Sequence, residues 1–250
     1  RLQGDWSSDV CSSDLRMWVY LAPTTGLPIR DADFAALDAM LGFDWLAVLR
    51  FYEARPWLSS LSTFLYTSSE KVMLTTCVVL FLLRRLDRVE EFVAASTLAG
   101  LATLIIAALL PAAGGYGYFK PDVAEFPSID MTAAQAFTQT LFDLHSGKLR
   151  AFDIVETKGI IAFPAFHTIF ALLLIWAVRG IPWAFALSLL WNGAIVLTTF
   201  VDGGHYLVDL IGGAAVSYLT VRFIAWFAAR YPAEAPRVAI AAPEIGRAHV

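Results

Sequence analysis

Charge is what this chain has least of. Lys and Arg number 18 and Asp and Glu 22, so charged residues make up 16% of the 250 while apolar ones reach 58%, at a formal net charge of −4. Soluble domains carry roughly a quarter charged residues, which excludes a water-facing globule and points to a membrane protein. Cysteine is almost missing too: Cys11 and Cys77 are the only two, too few for a disulfide framework or a zinc cluster. No Asp/Glu cluster suited to divalent ions is present, and no internal repeat. No metal and no cofactor are therefore expected.

The two ends resemble the translation of a sequencing adapter. GACGTGTGCTCTTCCGAT encodes Asp9 to Asp14, and its reverse complement, ATCGGAAGAGCACACGTC, encodes Ile245-Gly246-Arg247-Ala248-His249-Val250. Residues 1–15 and 245–250 are therefore expected to be non-native and are set aside. Cys11 and His249 fall with them, leaving Cys77 in an apolar run and three histidines: His145, His167 and His205.

Four segments meet the criterion of about 20 predominantly apolar residues for a spanning helix: 92–110, 160–178, 183–201 and 206–227. A fifth, 72–86, is short and ends in Arg84-Arg85. Segment 57–69, broken by Ser and Thr, is either the first half of a kinked span with it or a sixth helix. Segment 31–52 mixes apolar and charged positions at helical spacing and reads as an interfacial amphipathic helix. The expected fold is all-α: a multi-pass transmembrane bundle of five to six spanning helices, preceded by an N-terminal interfacial helix.

Alternating these helices puts Arg84, Arg85, Arg88, Arg179 and Arg230 on one side, which the positive-inside rule makes cytoplasmic. The loop 111–159 and the turn Asp202-Gly203-Gly204 then face the periplasm or exterior, in a multi-pass protein of the cell (inner) membrane. The loop's length favours a lid over a site.

Two segments put a histidine at the mouth of an apolar run: Phe163-Pro164-Ala165-Phe166-His167-Thr168 and Asp202-Gly203-Gly204-His205-Tyr206-Leu207-Val208-Asp209. An ionisable residue there is costly and reads as functional. The helices between them cross and return through a short turn, which makes them neighbours and sets His167 opposite His205. Asp209, four positions after His205, is spaced to hold its imidazole in one tautomer. Paired imidazoles with one carboxylate suit phosphoryl transfer: His205 attacks phosphorus and His167 protonates the departing oxygen. Helix N-termini supply donors for the phosphate oxygens. His145, beside Ser146-Gly147, reads as a bystander, and Gly212-Gly213-Ala214-Ala215 as a close-packing stripe.

Over roughly residues 40–230 these motifs resemble the type 2 phosphatidic acid phosphatase (PAP2) superfamily, specifically the branch of inositolphosphotransferases of the inositol phosphorylceramide synthase kind. The resemblance implies a metal-independent membrane enzyme acting on lipid phosphates, with His205 as nucleophile, Asp209 orienting it and His167 as acid. It divides the chain into an N-terminal helical region (16–69), a membrane catalytic domain (70–232) and a flexible tail (233–244). The expected partners are membrane lipids and a lipid phosphate substrate, with no nucleic acid. Ala165 stands where the branch has Ser, and Thr199 where the wider superfamily has a phosphate-binding Arg. The basic first motif is missing, since Arg55-Pro56 has Val48 in place of its Lys. Phosphate binding therefore falls to Lys148, Arg150 and Lys158, Arg150 first because guanidinium grips phosphate in two places. Water or a substrate hydroxyl as acceptor both remain open. A non-catalytic transporter or binding protein using the histidine pair as a ligand or proton site is the alternative reading.

Overall fold

The computed structural model describes Tyr20, residues 22–149 and residues 161–231. The described residues contain helices and turns and no strand. The α-helices are α1 (Asp31–Met40), α2 (Trp45–Glu53), α3 (Pro56–Thr67), α4 (Ser69–Leu82), α5 (Leu86–Leu109), α6 (Gly114–Phe119), α7 (Thr132–His145), α8 (Phe166–Ala177), α9 (Pro182–Thr198) and α10 (Leu207–Arg230), with 3₁₀ turns at Ala22–Thr25 and Val123–Glu125.

Local chemistry sets several boundaries. Pro56 and Pro182 open α3 and α9, where a missing N–H costs nothing because the first turn has no acceptor for it. The expected helix over 31–52 is two helices. Gly42 at φ +75° breaks the run, and Asp44 restarts it by accepting the Ala47 N–H at 3.0 Å. Pro164 delays the start of α8 to Phe166, since proline lacks an N–H and restricts the residue before it.

Helix α8 lies at the centre, flanked by α4, α5, α9 and α10. Its Ile169, Leu173, Leu174 and Ala177 are buried against Leu80, Phe92, Ala95, Ala99 and Val216. Against α10 the small-residue stripe works as expected: a Cβ on Gly213 would lie 2.8 Å from the Ala165 carbonyl oxygen, and one on Gly212 2.7 Å from the Phe163 ring. Large apolar side chains cover the outside instead, with Leu187, Leu190 and Leu219 at 62%, 74% and 64% exposure. Such a surface suits lipid and not water.

Two stretches, Leu86–Phe119 and Leu207–Arg230, are long and apolar enough to cross a membrane. A third is available if Pro56–Thr67 and Ser69–Leu82, bent by 48° between them, form one broken span. Helices α8 and α9 are apolar but shorter, at 12 and 17 residues. The described residues thus give two or three spans by length where the sequence suggested five or six.

The cationic turns meet at one end, where Glu91 near the start of α5 pairs with Arg88 at 3.3 Å and with Arg179 just past α8. Both histidine motifs lie at the other end of α8. The described part of loop 111–159 carries α6 and α7, which pack on one another, with α6 also against α1.

Candidate active site

Two carbonyls wind the turn after α9, that of Thr198 accepting the N–H groups of Val201 and Asp202 at 3.1 and 2.9 Å. The Thr199 oxygen accepts the N–H groups of Gly203 and His205, both at 3.1 Å, and Gly204 turns the chain at φ +64°, a conformation glycine adopts without strain. A Cβ on Gly203 would lie 2.5 Å from the His205 ring, and one on Gly204 2.6 Å from Tyr116. Neighbouring elements pin the turn from three directions. Trp45 Nε1 donates to the Phe200 carbonyl at 3.1 Å, Tyr116 Oη to Val201 at 2.8 Å, and the Gly115 N–H to Gly204 at 2.7 Å. From α3, Ser62 Oγ and Thr63 Oγ1 donate to the two carboxylate oxygens of Asp202, the latter at 2.7 Å. Burial raises the Asp202 carboxyl above its usual range, and those two hydroxyls pull it partly back.

His205 is buried just ahead of α10, and its Nδ1 lies 3.2 Å from Asp209 Oδ2. The contact predicted from sequence is present, but not as a helix-face pair, because α10 begins only at Leu207. Asp209 sits in its first turn and reaches back, taking the Tyr206 N–H at 2.9 Å with the oxygen that faces the imidazole. With Nδ1 engaged, the lone pair for attack belongs to Nε2, which has no hydrogen-bond partner among the described residues. Asp209 Oδ1 is buried and also unpartnered there.

The next two amides of α10 are taken as well. Asp38 of α1 accepts the N–H groups of Leu207 and Val208 at 2.8 and 2.9 Å. One face of α1 further along carries Asp31, which accepts from Ala113 and Gly114 N–H at 2.9 Å each and from Tyr206 Oη at 3.2 Å. Both carboxyls are raised by burial and drawn partly back by these donors. Helix α1 therefore belongs to the site's frame, tied to it by two buried carboxylates, rather than lying apart as a merely interfacial helix.

His167 is the second residue of α8. Its Nδ1 lies 3.3 Å from Tyr66 Oη, and the two rings stack with centroids 4.3 Å apart. The N–H groups of Phe166, His167 and Thr168 find no acceptor among the described residues, so the positive end of α8 is open beside its own histidine. The two motifs touch through their backbones, the Ala165 N–H donating to the Asp209 carbonyl at 3.0 Å, and His167 lies within electrostatic reach of His205. Of the two helix starts expected to serve an anion, α8 has amides without an acceptor among the described residues, and the first amides of α10 are taken.

Among the other residues singled out, Lys148 is exposed just past α7, while Arg150 and Lys158 lie outside the described residues. Ala165 is fully buried in the α8–α10 seam, and Thr199, also buried, turns its hydroxyl onto the Val196 carbonyl at 2.6 Å. His145 bonds the Pro23 carbonyl at 3.1 Å, a structural role. Sequence reading passed over Asp31, Asp38, Ser62, Thr63 and Tyr66, and placed Asp202 in the second motif's turn without assigning it a partner. Asp31 and Asp38 were findable, since a seven-residue spacing puts these two carboxylates on one face of a helix whose only other charged residue is Asp33. Tyr66 and the partners of Asp202 gave no signal before α3 was seen beside the turn. No group of three His, Cys, Asp or Glu side chains placed to hold a metal ion occurs among the described residues.

The sequence model of the PAP2 superfamily matches residues 32–223. Comparisons with curated proteins and with solved structures gave no significant match.

Proposed function

The chain belongs to the PAP2 superfamily, which points to phosphatase-type activity on phosphorylated substrates, and from that premise we propose a membrane phosphatase or phosphotransferase acting on lipid phosphates through a phosphohistidine at His205. The observation that carries the reading is the buried His205–Asp209 pair: Nδ1 is held at 3.2 Å and Nε2 has no partner among the described residues. Asp209 fixes the tautomer and stabilises the imidazolium character that grows as Nε2 bonds to phosphorus. His167 protonates the departing oxygen.

The three open amides at the start of α8 face charge that develops on the nonbridging oxygens. Lys148, Arg150 and Lys158 are the proposed cationic contacts, replacing the arginine whose place Thr199 holds. The motifs resemble the inositolphosphotransferase branch, so an alcohol as well as water is a proposed acceptor. Catalysis is proposed to need no metal. The site is proposed to face the periplasm or exterior, with the Arg84–Arg88 and Arg179 turns in the cytoplasm.

Purified protein in detergent tests the reading with phosphatidic acid as substrate. Turnover that is blocked by vanadate, unaffected by EDTA and lost in His205→Ala is expected, together with acid-labile phosphate trapped on the wild-type chain. Wild-type turnover by His205→Ala would refute the assignment.

A further inference from the structure

Helix α3 presents Ser62, Thr63 and Tyr66 toward the site. Ser62 and Thr63 grip Asp202, three residues before His205, while Tyr66 bonds and stacks on His167. One helix thus connects the turn bearing one histidine to the ring of the other. We propose that Tyr66 is a positioning residue for the acid step: its hydroxyl occupies Nδ1 of His167, so that Nε2 alone exchanges a proton with the departing oxygen, and the Asp202 anchor holds α3 where this contact is made. The proposal rests on the reading of His167 as the acid.

The geometry explains why a hydroxyl is placed there. An imidazole can present either nitrogen, and a partner on one ring nitrogen determines which of them is left for chemistry. Stacking at 4.3 Å fixes the ring plane, and the Tyr66 hydroxyl fixes its rotation about that plane. In the step itself, the Nε2 lone pair of His205 forms the P–N bond. The P–O bond breaks with its electron pair going to the leaving oxygen. That oxygen takes the Nε2 proton of the His167 imidazolium, whose Nδ1–H donates to Tyr66 Oη, and the N–H electron pair returns to the ring to leave a neutral imidazole.

Leaving-group dependence separates this role from a merely structural one. An alkoxide leaving group needs the proton, whereas 4-nitrophenolate leaves without it. In the full chain in detergent, Tyr66→Phe keeps the ring and removes the hydroxyl. It is expected to lower kcat on phosphatidic acid roughly tenfold or more, with 4-nitrophenyl phosphate turnover close to wild type, because acid catalysis is worth about 10²–10⁴-fold only where it is needed. Phosphohistidine formed from 4-nitrophenyl phosphate reports that the variant is folded. If it does not form, Thr63→Val, which loosens α3 from Asp202 one turn before Tyr66, carries the same comparison. An equal loss on both esters, or no loss on either, overturns the assignment of Tyr66 while leaving His205 as nucleophile. A wild-type protein indifferent to His205→Ala overturns the reading of the site and this proposal with it.

Discussion

Asp38 and Asp209 hold the same helix start from two sides: Asp209 accepts the Tyr206 N–H at 2.9 Å, and Asp38 accepts those of Leu207 and Val208 at 2.8 and 2.9 Å. The positive end of α10 is thereby neutralised by the protein's own carboxylates. Among the described residues the first amides of α8 have no such acceptor, and they are the donors proposed for an anion at the histidines.

Asp38→Ala removes the acceptor for two amides in a nearly solvent-free spot. The expected loss is about 1–3 kcal/mol, read as a lower thermal midpoint in detergent. Activity falls with it because α10 carries Asp209. An unchanged midpoint would show that α1 does not hold α10.

Acid should help Asp31. Its folded-state carboxyl is raised above 3.8 by burial, so the fold binds a proton that the unfolded chain releases. The stability this contributes is fully present below the unfolded value and is lost as pH rises through the raised one. Comparing thermal midpoints as pH is lowered from neutral toward 4, wild type is expected to gain on Asp31→Asn, and a gap that widens the other way contradicts the sign.

Gly204→Ala forces a side chain into the left-handed region at φ +64° and drives its Cβ to 2.6 Å from Tyr116. The backbone term alone costs roughly 1–2 kcal/mol, and the clash displaces the turn that presents His205. Gly180→Ala is the control, since it shares a positive φ but meets nothing within 4 Å. The first should lose turnover and stability together; the second should lose only stability.

Asp209→Asn keeps the shape but lets an amide donate to Nδ1, which puts the ring proton on Nε2 where the attacking lone pair is needed. A fall in kcat of about 10²-fold or more is expected, with less effect on KM. Turnover near wild type would remove Asp209 from the reaction.

Sidedness can be read by chemistry. With Cys11 and Cys77 replaced by serine, Lys148→Cys in intact cells should react with a membrane-impermeant maleimide, and Arg85→Cys only after lysis. The reverse pattern inverts the proposed orientation.

Much of this was legible because it depends on residue type and short spacing. Apolar runs announced α9 and α10 to within about three residues at each end, and α5 at its end but not at its start, which lies six residues earlier at Leu86; burying backbone polar groups in lipid leaves helix as the available local structure. His205 and Asp209 were found because four residues of chain cannot hold them far apart. The contact survived even though its geometry did not, because Asp209 reaches back over a helix start rather than along a helix face. The span count and the single helix over 31–52 fared differently. Pro164 and Gly42 each break a run that average hydrophobicity treats as continuous.

By itself, then, the sequence determined an all-helical, lipid-compatible chain with two histidine motifs brought to one end by a tight antiparallel return. Those features follow from composition and from chain connectivity over short distances. Only the tertiary structure decided which groups support the histidines. Asp38 lies 169 residues from the Leu207 amide it accepts, Tyr66 lies 101 from His167, and Ser62 lies 140 from Asp202. No local pattern encodes such pairings, because their partners are backbone amides and lone side chains whose proximity is set by how the helices pack.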